Sequence, residues 1–364
     1  MKKSIRVIAA LLIVATFLTS GCGEDIITEA ESATAKIPES IAELTLPDIE
    51  TTQAAGLPEG YTYSFLTGLP ISEEVAKLRP LGFQIDNERK ARPQCGISAA
   101  DVVYEVPIEA NEVRLTAIFQ DISSLDRIGP LRSCRSYHPG ILAEYDGILV
   151  HNGHSKYALE KLNSSNCDDI EVVNKDYDAQ FTSSDHLTGH NNFTNQAKIE
   201  KRIEYRKFRR EVAEDFSYKF KFAEEGSPNL LENGRTANKV TTGFTQNRSY
   251  FVYNSEDGLY YRYAWGEEHK DGDTGLQLAV KNIIIQYCTY HLEDDHKNKY
   301  INTVGTGKGA FVTNGKVVDI TWEKESYWGN THYYYDDGTE IRLNPGKSWV
   351  CIVLPKMTGE SVFE

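Results

Sequence analysis

The stretch from Arg127 to His154 combines a basic loop, a short helix and a buried strand, and it restricts the fold more than any other part of the chain. Pro139 is compatible only with the first turn of a helix, so the pattern predicts a helix that begins near Ser136 and stops at Asp146-Gly147. The apolar run from Ile148 to Val150 then predicts a buried strand. This succession is typical of an α/β layer.

Basic and polar residues gather at the carboxyl end of this predicted strand. In open α/β layers, ligands bind beyond the carboxyl ends of strands, beside helix N-termini that favour anions. Arginine binds carboxylate or phosphate groups through two parallel hydrogen bonds. We therefore predict that the chain binds a ligand through Asp86, Asn87, Arg114, Arg132, Arg135, His151, Asn152 and His190.

The same residues also fit a structural interpretation. Asp86 and Glu105 could neutralise the arginines and fix the loop, because structural ion-pair networks produce the same pattern as ligand sites. The spacing identifies no pair of nucleophile and base, so the catalytic residues are unknown and enzyme activity stays an open question. No metal and no cofactor are expected.

The first 21 residues have the pattern of a bacterial signal peptide. Lys2, Lys3 and Arg6 form a charged segment, and Val7 to Leu18 form an apolar segment that is too short for a secure membrane span. Ser20-Gly21-Cys22 then resembles a lipobox, so Cys22 is the predicted lipidation site. Diacylation of one cysteine gives stable anchoring, here on the extracytoplasmic face of the cell membrane. The alternative is an ordinary secretory signal in which Cys22 has no role.

Residues 22–60 are predicted to form an acidic, flexible tether. Between Gly23 and Gly60, nine acidic residues stand against the single base Lys36, a composition that cannot bury a core. The formal net charge of −14 divides into +3 for the signal peptide, −8 for the tether and −9 for the remainder. Since the chain has no basic stripe, nucleic acid is not an expected partner.

The remaining chain is predicted to be an α+β protein with two domains. Residues 61–210 are predicted as a mixed α/β domain, with strands at Leu81–Ile85, Val102–Val106 and Val113–Phe119 and a closing helix from about Asn195 to Arg210. Residues 211–364 are predicted as a mainly antiparallel, all-β domain. The boundary lies where helical periodicity gives way to strand alternation.

Alternation and turn residues predict the strands of the second domain. Phe216–Phe222 has aromatic residues at every second position, and Ser255-Glu256-Asp257-Gly258 and Asn314-Gly315 are hairpin signals. The other predicted strands are Lys239–Phe244, Tyr250–Asn254, Leu259–Ala264, Val280–Tyr287, Gly309–Thr313, Lys316–Thr321, Tyr333–Tyr335, Glu340–Leu343 and Trp349–Leu354.

Two other residue patterns indicate chemistry less strongly. Cys134 near His138 or His151 could pair a thiol with a base, although most such cysteines are inert packing residues. A carboxylate pair for glycoside hydrolysis could come from Asp86, Asp101 and Glu105.

A succession of motifs gives the chain a resemblance to one known family. The motifs are LTGLPIS at Leu66, LGFQIDN at Leu81, ARPQCGISAADVVYE at Ala91, RIGPLRS at Arg127, EYDGILVHNGHS at Glu144, HKDGDTGLQLAVKNIIIQ at His269 and IRLNPGKSWVCIVLP at Ile341. In this order they resemble the YerB-like lipoprotein family, a two-domain group of cell-envelope proteins without an established activity. The resemblance implies a lipidated envelope protein with an N-terminal α/β domain and a C-terminal β domain. It assigns no catalytic residue, because the family has no agreed reaction.

Two functions from different classes follow from these patterns. The first is a membrane-anchored envelope lipoprotein with a non-enzymatic module that binds an anionic or cell-wall ligand or a partner protein. The alternative is a hydrolase or transferase acting on an anionic or sugar-containing envelope substrate, with Asp86, His151 and the arginines as working groups. The binding module is favoured, because the spacing identifies no nucleophile with its base.

Overall fold

Strands dominate the computed structural model, which describes residues 56–355 and 359–364. The predicted signal peptide, the lipidation site Cys22 and the tether up to residue 55 lie outside the described residues. The strands are β1 (Tyr61–Tyr63), β2 (Pro70–Ser72), β3 (Leu81–Ile85), β4 (Val102–Pro107), β5 (Val113–Phe119), β6 (Ile148–His151), β7 (Asp168–Glu171), β8 (Phe181–Thr182), β9 (Asn192–Phe193), β10 (Arg235–Thr236), β11 (Lys239–Thr241), β12 (Tyr250–Asn254), β13 (Leu259–Ala264), β14 (Glu267–Glu268), β15 (Ala279–Val280), β16 (Asn282–Tyr287), β17 (Tyr290–Leu292), β18 (Lys299–Ile301), β19 (Gly305–Thr313), β20 (Lys316–Lys324), β21 (Thr331–Tyr334), β22 (Ser348–Val353) and β23 (Val362–Phe363).

The helices of the described residues are short. They are α1 (Glu73–Ala76), α2 (His138–Ala143), α3 (Leu159–Leu162) and α4 (Gln196–Arg206), with 3-10 turns at Arg89–Ala91, Ile97–Ala99, Lys156–Ala158 and Tyr177–Ala179. Asn195 caps α4 by accepting the N–H of Lys198, and Lys207 ends it in the left-handed conformation. Across the described part of the chain, every helix falls short of the length and apolar character needed to cross a membrane.

The largest sheet joins strands from both halves of the described chain. Its order is β10-β20-β19-β16-β22-β4-β5-β3-β6-β7, and β21 pairs with β20 beside β10. Strand β22 lies in the middle and runs parallel to both neighbours, with Val350 opposite Ile284 of β16 and Tyr104 of β4. The predicted boundary between residues 210 and 211 stays a prediction, and the sheet itself continues across it.

Apolar side chains cover both faces of this sheet, because neighbouring residues of a strand point to opposite sides. On one face, Trp349 of β22 packs against Phe251, a residue of the sheet β14-β13-β12-β11-β23 whose strand β13 also pairs with β15. On the other face, Val350 belongs to a cluster that includes Ile141 and Leu142 of α2. Two-stranded sheets β1-β2, β8-β9 and β17-β18 complete the described strands.

Both predicted hairpins are confirmed. Strands β12 and β13 pair around Ser255–Gly258, and β19 and β20 pair around Asn314-Gly315, whose φ angles of 49° and 73° suit a tight turn. The predicted strand Phe216–Phe222 is wrong, because Phe222 forms only an isolated bridge with Leu343. Likewise, Glu340 makes only an isolated bridge with Tyr334, so Glu340–Leu343 is not a strand.

Candidate functional site

Three of the predicted site residues meet directly beyond the end of β3. The carboxylate of Asp86 is fully buried, and its Oδ2 atom lies 2.5 Å from Nε of Arg132 and 2.8 Å from Nδ1 of His190. The guanidinium of Arg132 also approaches Nδ1 of His190 at 3.0 Å. The loop after Gly129-Pro130 brings Arg132 here, because its N–H donates to the carbonyl of Gln84 in β3. The result is an ion pair at the sheet edge with a histidine beside it.

Glu88 enlarges this cluster and was not predicted from the sequence. Its Oε1 atom lies 3.5 Å from Arg132, and its Oε2 atom lies 4.0 Å from Nε2 of His190. The ligand atoms of Asp86, Glu88 and His190 all lie within 4.8 Å of one another, close enough to hold a metal ion. The guanidinium of Arg132, however, already supplies a positive charge to the Asp86 carboxylate.

Arg135 and Arg114 form a second group beside the first. Arg135 binds both carboxylate oxygens of Glu109, and the Nε to Oε1 distance is 2.5 Å. The Nη1 atoms of Arg114 and Arg135 both donate to the carbonyl of Ser133, at 2.7 Å and 3.2 Å. The sequence interpretation missed Glu109, although it follows β4 by two residues and so lies near the same edge.

Two predicted residues of this region carry buried polar atoms without a partner. The Nε atom of Arg114 and both side-chain polar atoms of Asn87 are buried and make no hydrogen bond to any residue that the structure describes. Burial lowers the pKa of Arg114 to about 10, and the neighbouring charge of Arg135 acts in the same direction. Both side chains therefore lie in a buried region where some polar atoms have no hydrogen-bond partner among the described residues.

His151 and Asn152 lie at the end of β6, as predicted, but neither side chain joins the Asp86 cluster by a hydrogen bond. His151 is fully buried, with Nε2 3.3 Å from Asp169 and Nδ1 2.8 Å from the carbonyl of Gly153. Asn152 contributes its backbone, since its N–H donates to the carbonyl of Arg132 at 2.9 Å. The strand end thus holds the arginine loop in place.

Asp86 pairs with Arg132, as the structural interpretation expected, whereas Glu105 neutralises none of the loop arginines. Glu105 is fully buried and binds Arg262 at 2.8 Å, in a network separate from the arginines of the loop. Asp101 is partly buried just before the first residue of β4, and desolvation there raises its pKa to about 6. The proposed carboxylate pair therefore does not form, because Asp86, Asp101 and Glu105 each have different partners.

The structure disfavours two further expectations from the sequence, a nucleophilic Cys134 and anion binding by helix N-termini. The Cys134 thiol is fully buried, and burial, together with the nearby Cys167, raises its pKa well above the usual range, which disfavours a nucleophilic thiolate. The helices behind the loop, α2 and α3, have six and four residues, so their dipoles add little to an anion site. The charges of the site therefore come from its side chains.

Comparison with known proteins assigns the family. Residues 66–209 match the N-terminal domain, and residues 240–350 the C-terminal domain, of "Protein of unknown function (DUF3048)". The chain is 29% identical over 306 residues to "Putative lipoprotein YerB" of Bacillus subtilis (strain 168), covering 82% of this chain and 87% of that protein. The crystal structure of YerB protein from Bacillus subtilis is similar, with a TM-score of 0.71, 27% identity and coverage of 83% of this chain and 99% of that one. The chain therefore belongs to the DUF3048 family, whose N-terminal and C-terminal domains it matches in order.

Proposed function

We propose that the chain is a membrane-anchored envelope lipoprotein whose folded unit is a non-enzymatic binding module. The Ser20-Gly21-Cys22 pattern and the lipoprotein name of the Bacillus subtilis relative support an anchor at Cys22. The proposed location is the extracytoplasmic face of the cell membrane. The proposed ligand is an anionic or cell-wall group, or a partner protein.

The exposure of the site residues carries the proposal for binding without catalysis. Asp86 and His151, the groups that a hydrolase would use, have fully buried side chains that are already bonded. Arg132, Arg135 and His190 reach the surface, with exposed side-chain fractions of 27%, 14% and 12%. A ligand can therefore contact cationic groups of the site while the potential acid and base stay covered.

The carboxylates that compete for these arginines are also at the surface. Glu88 and Glu109 have exposed side-chain fractions of 31% and 28%, so an anionic ligand can displace them into water. Arg135 already holds Glu109 through two hydrogen bonds, which is the geometry that a carboxylate or phosphate ligand would adopt. The proposed binding is therefore an exchange of one carboxylate partner for another anion.

Cys22→Ala is expected to abolish the membrane anchor. The thiol of Cys22 is the proposed acyl acceptor, so the variant would lack both lipid chains and be processed poorly. Two measurements follow the effect: the wild type should take up labelled palmitate and partition into the detergent phase, and the variant should take up no label. Cys167→Ala serves as the matched control and should behave like the wild type. A wild type in the aqueous phase would refute the lipoprotein assignment.

The double variant Arg132→Ala, Arg135→Ala is expected to lose ligand binding by about 2–5 kcal/mol. It should also unfold about 1–3 kcal/mol more easily, since buried Asp86 keeps only His190 as a side-chain partner. Calorimetric titration with phosphate, sulfate and glucuronate, well below the unfolding temperature, separates the two effects.

The matched variant for this experiment is Glu88→Gln, Glu109→Gln. It removes the competing carboxylates and keeps both arginines, so an anion should bind more tightly than to the wild type. On the structural interpretation this variant only loses stability and binds nothing. An absence of anion binding in the wild type and in this variant would contradict the ligand proposal and leave the anchor proposal untouched.

A further inference from the structure

Strand β20 has an open stretch on its outer edge. On its inner side, all residues from Lys316 to Lys324 pair with β19. On its outer side, β10 pairs with Lys316 and Val317 only, and β21 pairs with Thr321 to Lys324. Among the described strands, none pairs with the outer side from Val318 to Ile320. The unpaired backbone groups of such an edge are a template for an added strand.

A cleft of about 740 Å³ lies against this open stretch, and its wall includes Val317 and Val318. A second cleft, of about 300 Å³, adjoins it, since Asn229 and Tyr335 line both. We call the two together the outer-edge cleft. Leu230 offers an apolar contact there, since half of its surface is exposed. The Asn229 amide donates to the Tyr335 hydroxyl at 2.7 Å and so fixes the wall between the two parts.

The rim of the outer-edge cleft is acidic. Glu232, Asp336 and Asp337 are exposed in its wall, and none of the three forms an ion pair within the described residues. Asp319 also lies there, but Arg235 neutralises it at 2.6 Å. Lys316 lies close to Glu232, where its ammonium group donates to the backbone carbonyl at 3.0 Å, but three exposed carboxylates without an ion pair among the described residues still favour a cationic occupant beside the open strand edge.

Three occupants of the outer-edge cleft can be compared by their net charge. The segment from Gly23 to Gly60 has nine acidic residues and one basic residue, so it would be repelled. A second copy of the protein has a net charge of −9 after residue 60 and is disfavoured for the same reason. A basic, extended segment of another protein matches the charge of the rim, the apolar surface of Leu230 and the shape of a strand edge.

We propose that the outer-edge cleft binds an extended, lysine-rich or arginine-rich peptide segment of a partner protein by adding it as a short strand to β20. Backbone hydrogen bonds to Val318–Ile320 would fix the alignment of the peptide with β20, since peptides bind other open sheet edges in this way. The open stretch spans about 10 Å, at about 3.3 Å per residue, so the added strand has about three residues. Side chains on one face of this strand would contact Leu230 and Tyr335, and basic side chains would reach Glu232 and Asp336. None of the predicted site residues around Arg132 takes part.

The test uses mature full-length protein in detergent and a fluorescent peptide of alternating lysine and valine, with binding measured by anisotropy. The variant Glu232→Gln, Asp336→Asn, Asp337→Asn should weaken binding about tenfold. Glu59→Gln, Glu74→Gln, Glu214→Gln changes the same number of exposed carboxylates outside the cleft and should bind like the wild type. Leu230→Ser should also weaken binding, since it removes the apolar contact without adding a charge.

A second peptide, methylated at alternate backbone nitrogens, tests the added strand itself. It keeps all charges and side chains but lacks the backbone N–H donors along one of its two edges, so it should bind much more weakly than the unmodified peptide. Equal binding of the methylated peptide would overturn strand addition. Equal binding of an alternating glutamate and valine peptide, or no binding of the lysine peptide at millimolar concentration, would overturn the cationic cleft altogether.

Discussion

Replacing Glu144 by alanine is expected to lower the free energy of unfolding by about 3–5 kcal/mol. The buried carboxylate of Glu144 accepts hydrogen bonds from the ammonium groups of Lys219 and Lys324 and from the N–H and hydroxyl of Thr331. Its removal leaves two buried ammonium groups without a counter-charge. Urea denaturation followed by tryptophan fluorescence measures the loss.

The surroundings of Lys219 explain why the effect should be large. Its ammonium group lies 5.3–5.8 Å from the ring centres of Tyr104, Tyr145, Phe220 and Tyr333. Burial lowers the pKa of Lys219 to about 8, although Glu144 partly opposes this. Aromatic faces stabilise a cation by about 2 kcal/mol when water is excluded, too little to replace a carboxylate.

The same cluster makes stability depend on acid. Burial opposes ionisation of Glu144, but Lys219 and Lys324 outweigh it and lower its pKa to about 2. An unfolded glutamate has a pKa of about 4.3, so the contribution of Glu144 is complete above that value and disappears as the pH falls toward 2.

Glu340→Gln is the matched control for the Glu144 variant. It breaks ion pairs with Lys221 and His332, whose side chains are 54% and 37% exposed, so the loss in unfolding free energy should stay below about 1 kcal/mol. The triple variant Glu144→Leu, Lys219→Met, Lys324→Met removes all three charges together and should recover most of the stability. Equal losses for Glu144→Ala and Glu340→Gln would contradict the buried-charge argument.

Arg262→Met is expected to cost a similar amount, about 3–5 kcal/mol, in a different part of the protein. Arg262 is fully buried, binds Glu105 at 2.8 Å and lies over the ring of Trp349 at 4.6 Å. It also donates to Nδ1 of His269, whose Nε2 donates in turn to Gln94 at 2.7 Å. Methionine keeps the packing volume but leaves the Glu105 carboxylate without its positive partner.

Because Glu105 lies in β4 and Arg262 in β13, this pair connects the two large sheets. A double-mutant cycle with Glu105→Gln, followed by calorimetry, measures the connection. The double variant should lose clearly less unfolding free energy than the sum of the two single losses, since each single variant leaves one buried charge without its partner. Arg235→Met, which breaks an exposed pair with Asp319, is the control and should leave the melting temperature nearly unchanged. Additive losses for Glu105 and Arg262 would show that the pair contributes nothing of its own.

Local patterns predicted the parts of the fold that depend on local interactions. The hairpin turns at Ser255–Gly258 and Asn314-Gly315 and the strands Leu81–Ile85 and Val113–Phe119 follow from turn residues and apolar runs. The alternation in Phe216–Phe222 misled, because it places Lys219 in solvent, whereas Lys219 and Phe220 are both buried. Alternation predicts a strand only when a neighbouring strand is available to pair with it.

The candidate site was predicted in part, because some of its contacts also follow from local sequence patterns. Asp86, Arg132 and His190 meet because the first lies at a strand end and the second in the loop beside it, both visible in the sequence. The partner of Arg135 could not be chosen from the sequence, since Glu105 lies within β4 and Glu109 follows it by two residues. Which of them faces the loop depends on the side of the sheet, and Glu105 points to the opposite core beside Trp349.

The central position of β22 has a consequence for the order in which the protein can fold. Its Trp349 donates to Glu105, a residue 244 positions earlier in the chain. Until β22 is available, β4 is paired only with β5 and has one open edge, and a chain that exposes such an edge is prone to pair with other chains. The sheet therefore closes only when almost the whole polypeptide has emerged, and a chain that ends before Ser348 leaves β4 and β16 without the strand that joins them.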